Sequence, residues 1–507
     1  MNKFFSKKQL FVFCVGYFTL SSHAFENLNT SPELGQAKAF VGANVLNPNL
    51  DLNISNATIL VREGKIVKIQ PHSEDIPTGY SITHIENKWV IPGLIDGHVH
   101  LAQSGGAFTR PDIINATKIE SYQADQKWLS EHSTFLLNNY IAQGITTIFD
   151  MGGPSGNIAH FRALTEQGIF PDIYAAATLL SPMDVPQLNG NLNGKTFTKV
   201  SNAEQAKALV QSQLALNTNI IKIVWGQESG LTTEQLYAMY QPAIALAKKH
   251  HKVVAVHVQD LINAKRSIEA GADILVHGVM TNDIDDEFIT LMKQNNVTYM
   301  PTLSAYGHYF EIFKNEFQLS EHEMNHAHPD IKTSFNKLMS NVKDTDQMFQ
   351  IFLKYIPKVD SSEDELAKLS AQDQSIIKQL RAFFSSDIEN SQKNNLNKII
   401  HSGVNIAFGT DAGNPGTLHA SSLLGEMKAW QQAGISNKDI LKAATFGNAQ
   451  ALNLTGSLGT LTSGMHANFV VLDANPYKNL TTLSTPAMTI KRGKIAFKQG
   501  SQTNETL

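Results

Sequence analysis

The middle of the chain alternates short apolar segments with amphipathic ones, and this alternation limits the possible folds more than any other feature. Such alternation is typical of an α/β fold with a parallel sheet, because each parallel strand needs a crossover to the next. Helical patterns such as 232–249 and 261–270 separate eight buried-strand candidates. These candidates are 93–101, 145–151, 172–179, 219–225, 253–258, 273–278, 297–303 and 404–411. Eight units predict a (β/α)8 TIM barrel, whose functional side chains lie at the C-terminal ends of the strands.

Both flanks of the predicted barrel are rich in short strands. Residues 57–62 and 66–69 are apolar runs joined through Gly64, which predicts a hairpin. Similar runs recur at 469–473 and 488–497. A chain of 507 residues has room for a barrel and a smaller partner. We therefore expect a small β-sandwich domain built from both termini, residues 25–92 and 454–507, around the barrel at 93–453.

One connection of the predicted barrel is unusually long. About a hundred residues separate the seventh and eighth strand candidates, whereas such loops are normally short. The segment is polar, has helical apolar spacing at Phe349, Phe352 and Ile356, and contains no glycine between Gly307 and Gly403. This pattern predicts a helical insertion at about 305–402 that covers the mouth of the site.

The first residues have the pattern of an export signal. Three lysines within the first eight residues precede an apolar run at 10–20, and Ser22 and Ala24 occupy the positions that a signal peptidase reads. We expect a signal peptide at 1–24 and a periplasmic or secreted protein, with an uncleaved membrane anchor as the alternative. Cys14, the only cysteine, lies inside this segment. The mature protein would then have neither disulfides nor thiolate metal ligands.

Several candidate metal ligands end the predicted strands. His98 and His100 close the first strand, and residues two apart on a strand point to the same face. His257 and His277 each follow an apolar run, and Asp411 ends the last strand. Imidazole is the commonest metal ligand near neutral pH. For a single histidine an ordinary core or surface position is the alternative, and for Asp411 the alternative is a helix N-cap.

Lys222 lies within the apolar strand 220–224. A buried ammonium is costly unless it is paired or modified. One explanation is a strand-end lysine that reaches solvent. The other is that the amine has added carbon dioxide, since the resulting carbamate is an anion with two oxygens that can bridge two cations. Four histidines and one aspartate would otherwise leave two divalent ions short of negative charge.

These motifs together resemble the amidohydrolase superfamily, in the branch of imidazolonepropionases and metal-dependent Xaa-Pro or Xaa-Arg dipeptidases. The resemblance covers nearly the whole mature chain. The motifs that carry it are 90–100, 221–223, His257, 277–278, 409–413 and 441–452 with the strand 468–473.

The resemblance implies a role for each candidate. His98, His100 and Asp411 would hold one metal, His257 and His277 a second, and carboxylated Lys222 would bridge them. A hydroxide between the metals would attack, with Asp411 as general base and then general acid. The implied cofactors are two divalent ions, with zinc the first expectation because the donors are nitrogen and oxygen.

The expected activity is hydrolysis of a C–N bond in a dipeptide, an N-acyl amino acid or a cyclic amide. The alternatives are a one-metal enzyme with unmodified Lys222, similar to imidazolonepropionases or deaminases, and a binding protein of the same fold without catalytic activity. The chain departs from relatives at Phe149, where many have arginine, and at 225–228, where many have small residues. Both departures concern the substrate. With a net charge of −4 and no basic run, a nucleic-acid partner is not expected, whereas a homo-oligomer is possible.

Three further side chains have two interpretations each. Arg110, in the first barrel loop, is interpreted mainly as a surface residue, with contact to a substrate carboxylate as the alternative. Tyr306 would either line the pocket or lie outside it. His419 would either touch substrate or start a helix.

Overall fold

The structure, a computed structural model, describes residues 37–188, 194–226 and 230–500. The predicted signal peptide, with Cys14, lies outside the described residues, as do Gln227 and Glu228. None of the helices within the described ranges combines the length and the apolar character that a membrane crossing needs.

Strands occupy the two ends of the chain and alternate with helices in its middle. In chain order they are β1 (Lys38–Asn47), β2 (Leu52–Arg62), β3 (Lys65–Pro71), β4 (Ser81–His84), β5 (Trp89–Pro92), β6 (Leu94–Val99), β7 (Ile145–Asp150), β8 (Asp172–Ala175), β9 (Leu179–Ser181), β10 (Phe197–Lys199), β11 (Ile220–Val224), β12 (Val253–His257), β13 (Ile274–Val276), β14 (Thr298–Met300), β15 (Asn405–Ile406), β16 (Phe469–Leu472), β17 (Met488–Lys491) and β18 (Lys494–Lys498).

The α-helices fall into barrel helices and a separate group between β14 and β15. In chain order they are α1 (Tyr122–Glu131), α2 (Ser133–Ala142), α3 (Ser155–Thr165), α4 (Ala203–Ala215), α5 (Thr233–Lys249), α6 (Leu261–Glu269), α7 (Asp286–Gln294), α8 (Leu303–Lys314), α9 (Glu321–His326), α10 (Pro329–Ser340), α11 (Gln347–Tyr355), α12 (Glu363–Leu366), α13 (Ala371–Arg381), α14 (Ser386–Ile400), α15 (Leu423–Gln432), α16 (Asn437–Lys442) and α17 (Asn448–Ala451).

Eight parallel strands close into the predicted barrel. Strands β6, β7 and β8 pair in that order, and β11 to β15 pair in sequence. A parallel bridge between Ala176 and Ile220 joins the two groups on one side, and one between Val99 and Ala412 joins them on the other. All eight predicted segments contain a barrel strand, so the (β/α)8 prediction is confirmed.

The two termini share one sheet, as predicted. Its order is β18-β17-β16-β5-β1-β2-β3, with β4 paired to β1, and the β16–β5 pair joins the C-terminal strands to the N-terminal ones. The predicted hairpin between β2 and β3 turns at Glu63 and Gly64, which have φ angles of 52° and 72°. Two positive φ angles suit the right-handed twist of the flanking strands.

Helices α8 to α14 form the predicted insertion. Their apolar side chains, including Phe313, Phe349 and Ile356, pack with Ile114 and Leu418 of the barrel loops in one cluster. The buried carboxylate of Glu426, on α15, accepts hydrogen bonds from the Leu303 and Ser304 amides at 3.0 and 2.7 Å. These bonds satisfy amides at the N-terminus of α8, which would otherwise lack partners. The insertion is therefore anchored to the barrel where it begins.

Candidate metal centre

The predicted ligands lie at one end of the barrel. His98 is the penultimate residue of β6, and His100 directly follows this strand. His257 ends β12, and His277 follows β13. Asp411 follows β15, and the amide of Asp411 donates to the His98 carbonyl at 2.8 Å. The first and eighth strands therefore bring His98, His100 and Asp411 together where the barrel closes.

One group of donors surrounds the Asp411 carboxylate. Its Oδ1 lies 3.3 Å from His98 Nε2 and 3.1 Å from His100 Nε2. One ligand atom from each of these three residues lies within 4.8 Å of the others. This spacing fits a shared cation, since Zn–N and Zn–O bonds are about 2 Å long.

A second group adjoins the first through His277. The ring centroids of His257 and His277 are 4.5 Å apart, and those of His98 and His277 are 5.0 Å apart. His277 Nδ1 also lies 3.8 Å from Asp411 Oδ2. Four imidazoles and one carboxylate thus form one continuous cluster.

Neighbouring groups orient two of the rings. His100 Nδ1 lies 2.9 Å from the Gly152 carbonyl oxygen, which can only accept, so Nδ1 carries the proton. His277 Nδ1 lies 2.8 Å from the Thr302 hydroxyl. Hydrogen bonds of this kind fix the ring of a metal-binding histidine and leave Nε2 for the ion.

Burial keeps three of the imidazoles, those of His98, His257 and His277, neutral. It lowers the pKa of His257 to about 3, with the Lys222 charge adding to the effect. It also holds the pKa values of His98 and His277 well below the ordinary value. A neutral imidazole has the lone pair that binding a metal requires.

Lys222, in β11, is 1 % exposed, which is too little for the interpretation that its amine reaches solvent. Its Nζ has no hydrogen-bond partner among the described residues. Burial lowers the pKa of Lys222 to about 7, although the Asp411 carboxylate raises it. The side chain lines the same cavity as His257 and Asp411.

The donor set fits divalent metal ions. Within the described residues, both ring nitrogens of His98, Lys222 Nζ and Asp411 Oδ1 are buried without a hydrogen bond. Buried polar atoms normally have partners, because leaving one unpaired costs about 1–3 kcal/mol. Coordination would satisfy such atoms at the place where nitrogen and oxygen donors converge.

Two of the candidate ligands have unusual backbone angles. Asp411 and His277 have φ angles of 61° and 69°, in the left-handed region that only glycine adopts freely. Such a conformation costs about 1–3 kcal/mol and is concentrated at functional sites. Asp411 does not cap a helix, since the next helix, α15, has its N-cap at Ser422. The N-cap alternative is therefore wrong.

Asp96 supports the centre, although no separate role was predicted for it. Its carboxylate accepts from the Thr410 amide at 3.1 Å and from the Thr410 hydroxyl at 2.7 Å. It also accepts weakly from the His98 amide at 3.3 Å. Asp96 thereby ties β6 to the segment that carries Asp411. A carboxylate in an otherwise apolar strand was the signal that could have identified it.

A cavity of about 400 Å³ opens onto the centre. His100, Lys222, His257, His277 and Asp411 all line it. Tyr306 also lines it, as one of its two interpretations predicted. The interpretations of Arg110 and His419 need correction.

Arg110 also lines this cavity, and its side chain is only 15 % exposed, so its interpretation as a surface residue is wrong. His419 neither lines the cavity nor starts a helix. It is buried between the Tyr140 hydroxyl and the Gln103 carbonyl, both at 2.7 Å. Phe149, a departure from relatives, is fully buried against Tyr174 and not in the cavity lining.

Comparisons with known proteins agree with this geometry. The model of the amidohydrolase family matches residues 89–496. The imidazolonepropionase of Hyphomonas neptunium is 26 % identical over 267 residues, which cover 46 % of this chain and 61 % of that protein. The chain thus matches about three fifths of the length of this curated relative.

Two solved structures share the fold over almost the whole chain. A putative prolidase from Bifidobacterium longum has a TM-score of 0.64 at 22 % identity and covers 92 % of this chain and 96 % of its own. A Xaa-Pro dipeptidase with bound methionine has a TM-score of 0.65 at 19 % identity, covering 90 % and 99 %. At these identities the likeness concerns the fold.

Proposed function

The chain belongs to the amidohydrolase family, and we propose that it is a metal-dependent hydrolase of a carbon–nitrogen bond in a small amide or peptide. The observation that carries the proposal is the convergence of unpartnered buried donors at the C-terminal end of the barrel. The names of its relatives, an imidazolonepropionase and a Xaa-Pro dipeptidase, are consistent with this class of substrate.

We assign the ligands to two ions. His98, His100 and Asp411 would hold one, and His257 and His277 the other. This division matches the short distances around Asp411 Oδ1 and the contact between the His257 and His277 rings. Lys222 would bind both as a carbamate. Its depressed pKa supports this, because carbon dioxide adds only to a neutral amine.

When bound, two divalent ions would polarise the scissile carbonyl and lower the pKa of a water molecule. Asp411 supplies the proton transfer: its Oδ1 is an acceptor that receives no hydrogen bond from the described residues, and the side chain lines the cavity. It would accept a proton as the carbon–oxygen bond forms and return it to the departing amine. The neutral imidazoles do not compete for that proton, because burial holds the pKa values of His98, His257 and His277 low.

Similarity to an imidazolonepropionase favours a second candidate, a one-metal enzyme with an unmodified Lys222. In this mechanism the neutral lysine amine would remain a hydrogen-bond donor in the cavity. The two candidates differ in metal content, so the same experiment tests both.

We expect close to two divalent ions per chain, with zinc favoured, in protein purified gently without chelators. Elemental analysis would measure the content, and hydrolysis of amide and dipeptide libraries would be assayed on the same sample. Removal of the ions should abolish hydrolysis and their return should restore it. One ion per chain in a fully active sample would favour the one-metal candidate, and activity after complete metal removal would refute both.

We also propose that the protein is exported. Support comes from the sequence alone: a positively charged start, a short apolar run and the small residues Ser22 and Ala24. The exported protein should begin near Phe25. Intact-mass measurement of the periplasmic or secreted fraction would show the loss of 1–24, and retention of this segment would contradict the proposal.

A further inference from the structure

The insertion contributes most of the aromatic surface of the cavity. Five rings line it from this segment: Tyr306, Tyr309, Phe313, Phe383 and Phe384. Four of them, all except the exposed Phe383, form one packed group, in which Tyr306 stacks on Phe384 with centroids 6.1 Å apart, Phe384 meets Phe313 edge to face at 5.2 Å, and Phe313 contacts Tyr309 at 6.0 Å. Rings held in this way present a fixed apolar wall to a substrate.

Apolar side chains also line the cavity away from the insertion and the metal ligands, beside several polar ones. Leu179, Met183, Val185 and Phe197 line it from the segment after β8, and Met280 lines it from the segment after β13. The volume of about 400 Å³ suits a small molecule. Burial of apolar substrate surface is therefore the main source of affinity that this cavity offers.

Arg110 is the only arginine in the described lining, and it already has an anionic partner. Its Nε and Nη2 donate to the two carboxylate oxygens of Asp112 at 2.9 and 2.7 Å. Its Nη1 donates to Asn414 Oδ1 at 2.8 Å. The bidentate pair cancels the charge of Arg110, and three of the five N–H groups of a guanidinium are in use.

The partners of Arg110 are themselves held in place. Tyr309, from the insertion, donates to the same Asn414 oxygen at 2.9 Å, and Asn414 Nδ2 donates to the Asp411 carbonyl at 3.0 Å. The Asp112 side chain is 13 % exposed and therefore as buried as that of Arg110. If Arg110 turned toward a substrate carboxylate, it would leave the Asp112 carboxylate buried without its counter-ion.

No other cation is placed to bind a substrate carboxylate in the described lining, apart from Lys222 and the histidines already assigned to the metals. The segments 189–193 and 227–229, which lie a few residues from lining residues in the chain, contain neither lysine nor arginine in the sequence.

We propose that the cavity selects substrates with an aromatic or bulky apolar group and no free carboxylate, such as N-aryl amides or amide-capped acyl amino acids. This inference rests on the proposed function and narrows its substrate class. Asp112 is the residue that sets the preference, because it neutralises Arg110. Free dipeptides and N-acyl amino acids would be poor substrates compared with their amides.

Matched pairs of compounds test the preference directly. Acetanilide would be compared with 4-acetamidobenzoate, and N-benzoylglycinamide with N-benzoylglycine, using chromatography to identify the bond that is cleaved. We expect kcat/KM to be at least about 10-fold higher for the uncharged member of each pair, because the other member must bury an unpaired carboxylate. Equal rates, or faster hydrolysis of the carboxylates, would overturn the inference.

A binding measurement separates failure of this inference from failure of the proposed function. If none of the compounds is hydrolysed, the proposed function is in doubt, but calorimetry still gives their affinities. We expect tighter binding of the uncharged member of each pair by a similar factor. Tighter binding of the carboxylates would overturn the inference whether or not the protein is a hydrolase.

The variant Asp112→Asn tests the cause of the preference. It keeps the size of the side chain but leaves the Arg110 charge uncompensated. The ratio of kcat/KM, or of affinity, between the uncharged and the carboxylate member of each pair should therefore shift toward the carboxylate by about 10-fold or more. Glu131→Gln is the matched control: it removes one carboxylate from α1, outside the cavity, and should leave the ratio unchanged. An unchanged ratio in folded Asp112→Asn would refute the role of Asp112. If this variant does not fold, the ratio measured with the wild-type protein still tests the substrate preference.

Discussion

The Asp411→Asn variant is expected to lose about 10²–10⁴-fold in kcat, the usual contribution of a positioned general acid–base group. Asparagine has the size of aspartate and keeps one oxygen that can face a metal, but it cannot accept a proton at ordinary pH. The loss should therefore appear in kcat even in protein that is loaded with metal. Steady-state rates together with elemental analysis of the same sample would measure both effects.

Asp125→Asn is a matched control for this variant. Asp125 is also a buried aspartate, but it receives a hydrogen bond from Ser104 and does not line the cavity. Its replacement should lower the free energy of unfolding and leave kcat nearly unchanged. If metal-loaded Asp411→Asn kept its wild-type kcat, Asp411 would be no more than a metal ligand, and another acceptor would have to move the proton.

The barrel and the places of the candidate metal ligands at its strand ends could be predicted from the sequence because both depend on local patterns. Apolar runs mark strands that are buried on both faces, and a polar residue at the end of such a run stands out. His257 and His277 illustrate this, since each follows several apolar residues. Once eight strands are counted, the barrel itself brings their C-terminal ends together.

The chemistry of the cavity could not be predicted in the same way, because it depends on contacts between distant segments. Arg110 lies in a loop without periodicity, and although Asp112 is only two residues away, its other partner Asn414 is far away in the chain. The roles of Glu426 and Asp96 likewise depend on which amides lie opposite them in the fold. The sequence contains these side chains but has no local pattern that pairs them.

The Lys222→Ala variant is expected to show the largest loss, about 10⁴-fold or more in kcat, together with lower metal content. The wild-type amine is buried without a partner among the described residues, and burial lowers its pKa to about 7. An ordinary lysine, with a pKa near 10.4, is almost entirely protonated at neutral pH, whereas a large share of this amine is neutral. Carbon dioxide can therefore add to it, and alanine removes the anion that would bind both metals.

Lys491→Ala is the control, because Lys491 is also buried but pairs with Asp172 at 2.5 Å and does not line the cavity. This change should lower stability and leave metal content and kcat nearly unchanged. Short-chain carboxylates such as formate or acetate should partly restore Lys222→Ala, since they can occupy the space of the carbamate. Lys222→Glu should recover less, because its carboxylate ends short of the bridging position.

The pH dependence of reactivation gives an independent test of the carbamate. Metal-free wild-type protein, freed of carbon dioxide, should regain activity when bicarbonate and metal are added, and the rate should rise with pH through about 7 as the Lys222 amine loses its proton. The rate of reactivation rises with pH because only the neutral amine reacts with carbon dioxide. Full activity in carbon-dioxide-free buffer after metal reloading, with an intact mass that shows no added carbon dioxide under native conditions, would refute the carbamate. It would leave the one-metal mechanism, in which Lys222 acts as a neutral donor.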